Sequence, residues 1–390
     1  MKYEGVVMIV VGAGLSGCVI ARQLAESGYH VDLYEKKDHI GGAIYDYIDS
    51  HGTMIHSFGP HIFHTNIDEI HAYVQKYSKW NVFTHRVLGD IKGNLCPIPF
   101  NFTSIEKCFD PEQARLYQEK LVQYIGMENT ITIKELAEIN DEDLRQLAAF
   151  IYEHVFFHYT KKQWGRTPQE LSHDIMGRVP VRVSIRDDYF SDRYQLMPQN
   201  GYTAFLQTIL KHHNIHLHLK CDADNLIHFK DKKIYFNGSI YDDALVYTGC
   251  IDRLLNYKHG TLPYRTLRFE FETKQWPFQP VAVVNYPNAP GFTRITEFGH
   301  FYPERECLRS TIMREYPQEY QSDAELEPFY PIPMAPNDSI YRAYLNDLKE
   351  IPNLYPAGRL GRYQYMNMDI AIFEGLNLAN KIIADYKPMS

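Results

Sequence analysis

The sequence predicts an α/β fold in which separated parts of the chain build one parallel sheet, interrupted by a mainly helical insert and by an antiparallel β-sheet. Three observations carry this. The apolar run Val6 to Val11 opens directly into a glycine turn and an amphipathic helix. From about Thr103 to Gln163 glycines are few and apolar residues recur at spacings of three and four. Residues 264–315 alternate apolar and polar with the period of a strand.

At 390 residues the chain suits two or three folding units, at roughly 150 residues for each. Hydrophobic residues make up 45% and charged residues 23%, near the average for soluble globular proteins, which argues against a disordered or fibrous chain. With 40 Lys and Arg against 48 Asp and Glu, the net charge of -8 speaks against nucleic acid as a partner, so an anionic ligand has to be met by local arginines. The cysteines Cys18, Cys96, Cys108, Cys221, Cys250 and Cys307 show neither zinc nor disulfide spacing, as expected for a reducing cytoplasm. Val6 to Val11 is too short for a signal segment, and no run approaches the length of a membrane span. Thirty Tyr and 21 Phe raise aromatics to 14%, enough to line a cleft for a flat ligand as well as a core.

The elements come in this order. Val6 to Val11 leads through GAGLSGCVIARQLAESG into a helix with Leu15, Val19, Ile20 and Leu24 on one face, and YHVDLYEKK is a second strand ending at Glu35. The doublet Gly41-Gly42 and the polar HSFGPHIFHTN precede a helix over 67–79. FTHRVLGDIKGNLCPIPF reads as short strands joined by glycine turns and closed by Pro97 and Pro99. Beyond the helical insert, strands resume after RVPVRVS. A helix over Tyr202 to His213 leads to the strand IHLHLK, with His216 and His218 placed on its solvent face. The hairpin KKIYFNGSIY and the buried strand ALVYTG come next; YRTLRFEFET and VAVVNY supply the antiparallel sheet; NLYPAGR and a helix from about Asp369 end the chain. The expected domains are discontinuous. Segments 1–80, 194–262 and 350–390 form the nucleotide-binding unit, 101–193 the helical unit, and 81–100 with 263–349 the antiparallel unit.

VVGAGLSG sets Gly12, Gly14 and Gly17 as G-x-G-x-x-G between strand and helix, the Rossmann-like arrangement that places phosphate at a helix N-terminus. Glu35 ends the next strand, where a carboxylate accepts from a ribose 2'-OH and disfavours the 2'-phosphate of NADP. His56, His61 and His64 have no cysteine or carboxylate cluster beside them, so no metal site is expected.

One stretch, YTKKQWGRTP (159–168), crowds two aromatics, a hydroxyl and three cations into ten residues. Together with GPHIFHTN (59–66), RVPVR (178–182), YFSDRYQ (189–195), NGYTAF (200–205), VYTG (246–249), YRTLRFE (264–270) and FTRITE (292–297), it resembles the bacterial-type UDP-galactopyranose mutases, in the same order from about Val7 to Ala379. Gly41-Gly42 and LYPAGR are similar to features of FAD-binding proteins with discontinuous domains, which favours FAD over NAD.

The resemblance implies a set of roles. Gly12, Gly14, Ser16, Gly17, Glu35, Gly42, His61, Gly358, Arg359 and Met368 bind FAD, with His61 near the flavin. Phe156, Tyr159, Thr160, Trp164 and Asn285 line the sugar-nucleotide cleft. Arg178 and Arg294 hold the diphosphate and, with His61, serve catalysis, because a planar guanidinium grips phosphate oxygens bidentately. Tyr189, Tyr330 and Tyr365 contact phosphate. Arg178 lies on a mobile lid over about 165–182, punctuated by Pro168, Gly177 and Pro180, whose closure excludes water; Arg182, Arg186 and Arg193 are read as solvated. The family's reduced FAD acts as a nucleophile through N5, interconverting UDP-galactopyranose and UDP-galactofuranose for cell-surface galactofuranose glycans. A cytoplasmic homodimer is implied, with an external reductant such as NAD(P)H.

The chain departs from the pattern in YMNM, where Met366 and Asn367 stand in place of a tyrosine and a carboxylate. Three other readings stay open: a mutase acting on UDP-N-acetylgalactosamine, an FAD-dependent oxidoreductase of the amine oxidase or desaturase type, and a binding protein built like the Rab GDP-dissociation inhibitors. The last has no use for Glu35 or Gly358.

Overall fold

The computed structural model describes residues 6–167, 170, 180–304, 308–321, 326–332 and 335–386. Five strands form a parallel sheet in the order Ile215–His218, His30–Tyr34, Val7–Val11, Leu245–Tyr247, Leu354–Pro356. The register aligns His218, Tyr34, Val11, Tyr247 and Pro356, so the strands end together along one edge. Helix Leu15–Glu26 packs against the final helix, Met368–Tyr386, and against Gly201–Leu210, which buries Val19, Ile20 and Leu24 completely. A sheet covered in this way reads as unbroken apolar runs, which is why its central strands are legible in the sequence.

The second sheet has seven strands in the order Tyr330–Pro331, Tyr264–Gln275, Arg309–Glu319, Arg294–Glu297, Val283–Asn285, Val87–Ile91, Asn94–Ile98. It is antiparallel as expected, except that Val283–Asn285 and Val87–Ile91 run parallel. Register places Gly89, Asn285, Arg294, Glu315 and Phe269 in one transverse row across five strands. Directly paired residues share a face, so this row presents its side chains to the same side of the sheet.

The helical insert contains Phe102–Cys108, Pro111–Ile125, Ile133–Glu138 and Glu142–Ile151, started by Asn101, Asp110, Thr132 and Asp141, whose side chains accept the first free N–H groups. A π-helical turn, Tyr152–Phe157, then joins Glu142–Ile151 to His158–Trp164. Such turns insert one residue into the helical repeat and rotate the next segment about the helix axis, here the helix carrying Tyr159, Thr160 and Trp164.

Two expectations are corrected. His218 is half-buried, stacked on Tyr34 at 4.5 Å with Nε2 2.9 Å from Asp32 Oδ1, whereas Leu217 is exposed. Their strand is the last of its sheet, so neither face is fully covered and polarity stops distinguishing them. Arg182 is buried rather than solvated: its guanidinium donates to Asp188 O at 2.7 Å and Asp188 Oδ1 at 3.1 Å, while Arg193 stays exposed in an ion pair with Asp68. Arg186 is exposed and also pairs with Asp188. The lid residues Pro168 and Gly177, with Arg178, lie outside the described residues, as does Cys307. The five described cysteines are free thiols.

Helix Gly201–Leu210 takes its N-terminal cap from far away. Asp46 Oδ2 accepts from Tyr202 N at 2.5 Å and Oδ1 from Thr203 N at 2.8 Å, and the Thr203 hydroxyl donates to Asp46 O at 2.8 Å. A carboxylate there also meets the positive end of the helix dipole. Replacing Asp46 by Ala leaves two buried N–H groups unpaired, and urea unfolding should show a loss of about 3 kcal/mol. A loss below about 1 kcal/mol would mean that water replaces the carboxylate.

Candidate active site

The carboxyl edge of the parallel sheet opens into a cleft that gathers all ten residues expected at a dinucleotide: Gly12, Gly14, Ser16, Gly17, Glu35, Gly42, His61, Gly358, Arg359 and Met368. Gly12 has φ +97°, and a Cβ there would stand 2.1 Å from Thr248 Oγ1; a Cβ on Gly17 would stand 1.9 Å from Gly12 O. Only bare backbone fits, so the turn stays open to a ligand. Helix Leu15–Glu26 has no side-chain cap, which leaves its first N–H groups and the dipole's positive end for an anion. Gly358, with φ +70°, brings the C-terminal segment against Ser16. Glu35 is fixed by two backbone donors, Ala13 N to Oε2 at 2.8 Å and Lys37 N to Oε1 at 3.0 Å, and each oxygen keeps a lone pair for a hydroxyl.

A second group of expected residues meets around Arg294. Arg294 is paired across the sheet with Glu315 on one side and Asn285 on the other, and its Nε lies 2.8 Å from Glu315 Oε1. Burial is the largest influence on Arg294 and works against its charge, but Glu315, Tyr159 and Tyr330 together outweigh it and hold the guanidinium well above its ordinary pKa. Burial pushes the Glu315 carboxyl up, with Arg294 opposing. Tyr159 is held protonated by burial, with Arg294, Glu315, Tyr189 and Tyr330 as its charged or polar neighbours. Tyr330 is likewise pushed up to about 12 by burial. Tyr330 and Tyr365 stack at 5.9 Å, and the Arg359 guanidinium lies over both rings, 5.5 and 5.1 Å from their centres. Trp164 is buried 6.1 Å from Tyr330, and Thr160 is buried beside it in the same helix. Asn285 Oδ1 is buried with no partner among the described residues, an acceptor left for a ligand. Phe156 instead packs in the core, 6.0 Å from Tyr152. Arg178 lies outside the described residues.

Sequence reasoning missed Glu315 and His85. The signal for Glu315 was its period: in RSTIMREYPQE it shares a strand face with the buried Thr311 and Met313. His85 lies near Tyr189, 5.6 Å between rings, and is close enough to Arg294 to feel its charge. Burial, then Arg294 and His64, lowers its pKa to about 3. His61 is lowered to about 3 by burial, then by His56, Arg359 and Arg294. Its Nδ1 is 2.8 Å from Gly59 O, a carbonyl that only accepts, so Nδ1 carries the proton and Nε2 is the free acceptor. Burial alone lowers His56 to about 3.

His56 and His85 are the most enclosed imidazoles of this set. Between their folded values near 3 and the unfolded value near 6.5, only the unfolded chain binds the proton, so stability is lost as pH falls through that window. Going from pH 6.5 to 5 should cost on the order of 2 kcal/mol for each. Urea unfolding at the two pH values reads the sum, and substituting Gln for His85 should remove about half of it. A pH-independent stability would mean that these rings are protonated in the folded chain.

Among the described residues there is no group of three or more side chains able to hold a metal ion, and no helix long and apolar enough to cross a membrane. The family model for UDP-galactopyranose mutase matches residues 154–365, and that for an NAD(P)-binding Rossmann-like domain matches residues 10–77. The probable UDP-galactopyranose mutase of Klebsiella pneumoniae is 35% identical over 384 residues, covering 97% of this chain and 94% of its own. The dTDP-fucopyranose mutase of Escherichia coli is 32% identical over 386 residues, covering 97% and 99%. A crystal structure of reduced UDP-galactopyranose mutase shares the fold, with a TM-score of 0.72 at 20% identity over 97% of this chain and 94% of that one. The chain therefore belongs to the UDP-galactopyranose mutase family, isomerases with a flavin cofactor.

Proposed function

We propose that this chain interconverts UDP-galactopyranose and UDP-galactofuranose, with FAD bound in its reduced state. The observation that carries the reading is the adjoining of two sites through Arg359, which lines the dinucleotide cleft and also covers Tyr330 and Tyr365 beside Arg294. The cleft suits FAD: glycines where any Cβ would collide, an uncapped helix N-terminus for the pyrophosphate, and Glu35 for the ribose. When bound, the reduced flavin supplies the nucleophile for the anomeric carbon, so that UDP leaves and returns without net redox change.

The chain's own residues hold the sugar nucleotide in place. Arg294 meets the diphosphate and steadies the charge that grows on it as the sugar bond breaks, and Glu315 is the counter-charge beside the guanidinium. Tyr159 and Tyr330 remain protonated and, with Tyr189 and Tyr365, donate to phosphate oxygens, and Trp164 walls the nucleotide side. His61 offers a neutral Nε2 acceptor beside the flavin. In this reading Arg178 is the second phosphate cation. The protein works as a cytoplasmic homodimer whose flavin is kept reduced by a donor such as NAD(P)H.

A second substrate has one observation in its favour. The Escherichia coli relative at 32% identity is a dTDP-fucopyranose mutase, and Met366 makes one wall of this cleft less polar than a tyrosine would. Both substrates are offered to dithionite-reduced protein, with an oxidised control, and products are separated by chromatography. Conversion of UDP-galactofuranose only after reduction is expected; a yellow, UDP-binding protein that converts neither substrate refutes the mutase reading. Arg294→Ala should lower turnover by about a thousandfold or more while the protein stays yellow. Near-normal turnover would remove Arg294 from the phosphate role.

A further inference from the structure

The cations of YTKKQWGRTP are not explained by a role for its aromatics and hydroxyl. Lys161 and Arg166 are exposed; Lys162 is not. Its ammonium donates to three backbone carbonyls, Tyr286 O at 2.6 Å, Ala289 O at 2.8 Å and Phe292 O at 2.7 Å. An ammonium has three N–H groups, so its donor capacity is fully used. Burial lowers its pKa to about 8, with no carboxylate acting against that shift. The three carbonyls belong to the turn that begins after Asn285 and ends before Arg294, the cross-strand pair of the phosphate site. Lys162 itself sits in the helix that carries Tyr159, Thr160 and Trp164. The same helix is fixed at its C-terminal end by Arg265, which donates to Gln163 O at 3.0 Å and Lys162 O at 3.1 Å. Those are carbonyls that the helix leaves unpaired at its last turn.

We infer that Lys162 is a positioning residue for the UDP-sugar site: by tying the 286–293 turn to helix His158–Trp164, it sets Arg294 and Asn285 against Tyr159 and Thr160. The inference rests on reading this cleft as a UDP-sugar site. The ammonium does not touch substrate in this role. It fixes the separation of two walls that come from different parts of the chain, and a ligand gripped by both walls is sensitive to small errors in that separation.

Lys162→Met keeps the length of the stem and removes all three donors. In the flavin-loaded protein it should raise the Kd for UDP and the KM for UDP-galactofuranose by about tenfold, with kcat changed less than about threefold and flavin content unchanged. Lys162→Arg, which retains charge and several donors, should recover part of the affinity. A folded, yellow Lys162→Met protein with wild-type UDP affinity and KM overturns the inference, whatever its melting temperature, because a merely structural tie would lower stability alone. If Lys162→Met does not fold, Lys162→Gln carries the same comparison with an expected rise of about threefold, and an unchanged KM there overturns it equally. Wild-type protein that neither binds UDP nor turns over a sugar nucleotide would overturn the UDP-sugar reading and this inference with it, a failure seen before any variant is made.

Discussion

A guanidinium held away from bulk water needs an anion beside it, and Glu315 is that anion for Arg294, which the proposed function sets against a diphosphate. Both charges lose hydration in the fold, and removing either partner would leave the other uncompensated at a cost of several kcal/mol. The pair is set by sheet register, not by loops: Arg294 and Glu315 face each other on neighbouring strands, with Asn285 and Phe269 continuing the row. Register sets both side chains on one face of the sheet, so the pair is in place before any substrate arrives. One carboxylate and one guanidinium are neutral together, so a dianionic diphosphate calls for further positive charge. Arg359 lies on the adjoining side, and Arg178 is the proposed second source.

Burial, with the same field adding to it, explains the histidines. His61 and His85 both lie within reach of Arg294, and burial together with that charge keeps each imidazole neutral. They can accept or donate one hydrogen bond but add no positive charge to the site. The tyrosines around Arg294 are held in the opposite sense, as donors that do not ionise. His61, His85, Tyr159 and Tyr330 are thereby each held in one protonation state across neutral pH. A chain arranged in this way supplies orientation and electrostatics, which is the protein's share when the bond-making group belongs to a cofactor.

The cofactor cleft is legible in the sequence because its signals are local. Gly12, Gly14, Gly17 and Glu35 lie within one strand, helix and strand; the clash that demands Gly17 falls within that unit, and the one that demands Gly12 comes from distant Thr248, which follows the neighbouring strand Leu245–Tyr247. Interactions that join distant segments leave almost no mark. Asp46 caps a helix 157 residues away, and nothing around it in sequence says so. Glu315 needs both its strand period and the register that sets it opposite Arg294. Lys162 looks like any lysine of a polar stretch until the three carbonyls of the 286–293 turn are in place. His218 and Arg182 defeat sequence reasoning for a related reason: burial at a sheet edge or beside a single carboxylate depends on partners that alternation cannot reveal.

The anchoring of Arg359 also bears on what Met366 and Asn367 change. Arg359 donates to Phe329 O at 3.2 Å and to Met366 O at 2.9 Å, so it is held by backbone carbonyls on both sides. Those bonds are indifferent to the side chain at 366. The replacement of a tyrosine there leaves Arg359 over Tyr330 and Tyr365 undisturbed, and with it the register between the dinucleotide cleft and the phosphate group. What changes is the wall: Met366 is buried and apolar, and Asn367 is exposed and uncharged on the same cleft. A hydroxyl and a negative charge are thereby absent from this wall, and under the proposed function that difference bears on which ligand the cleft prefers, since a polar group left unpaired is what rejects the wrong ligand most strongly. The structure anchors Arg359 through main-chain atoms that a change of side chain at 366 does not touch, so what departs from the family pattern here is the side-chain lining of the cleft.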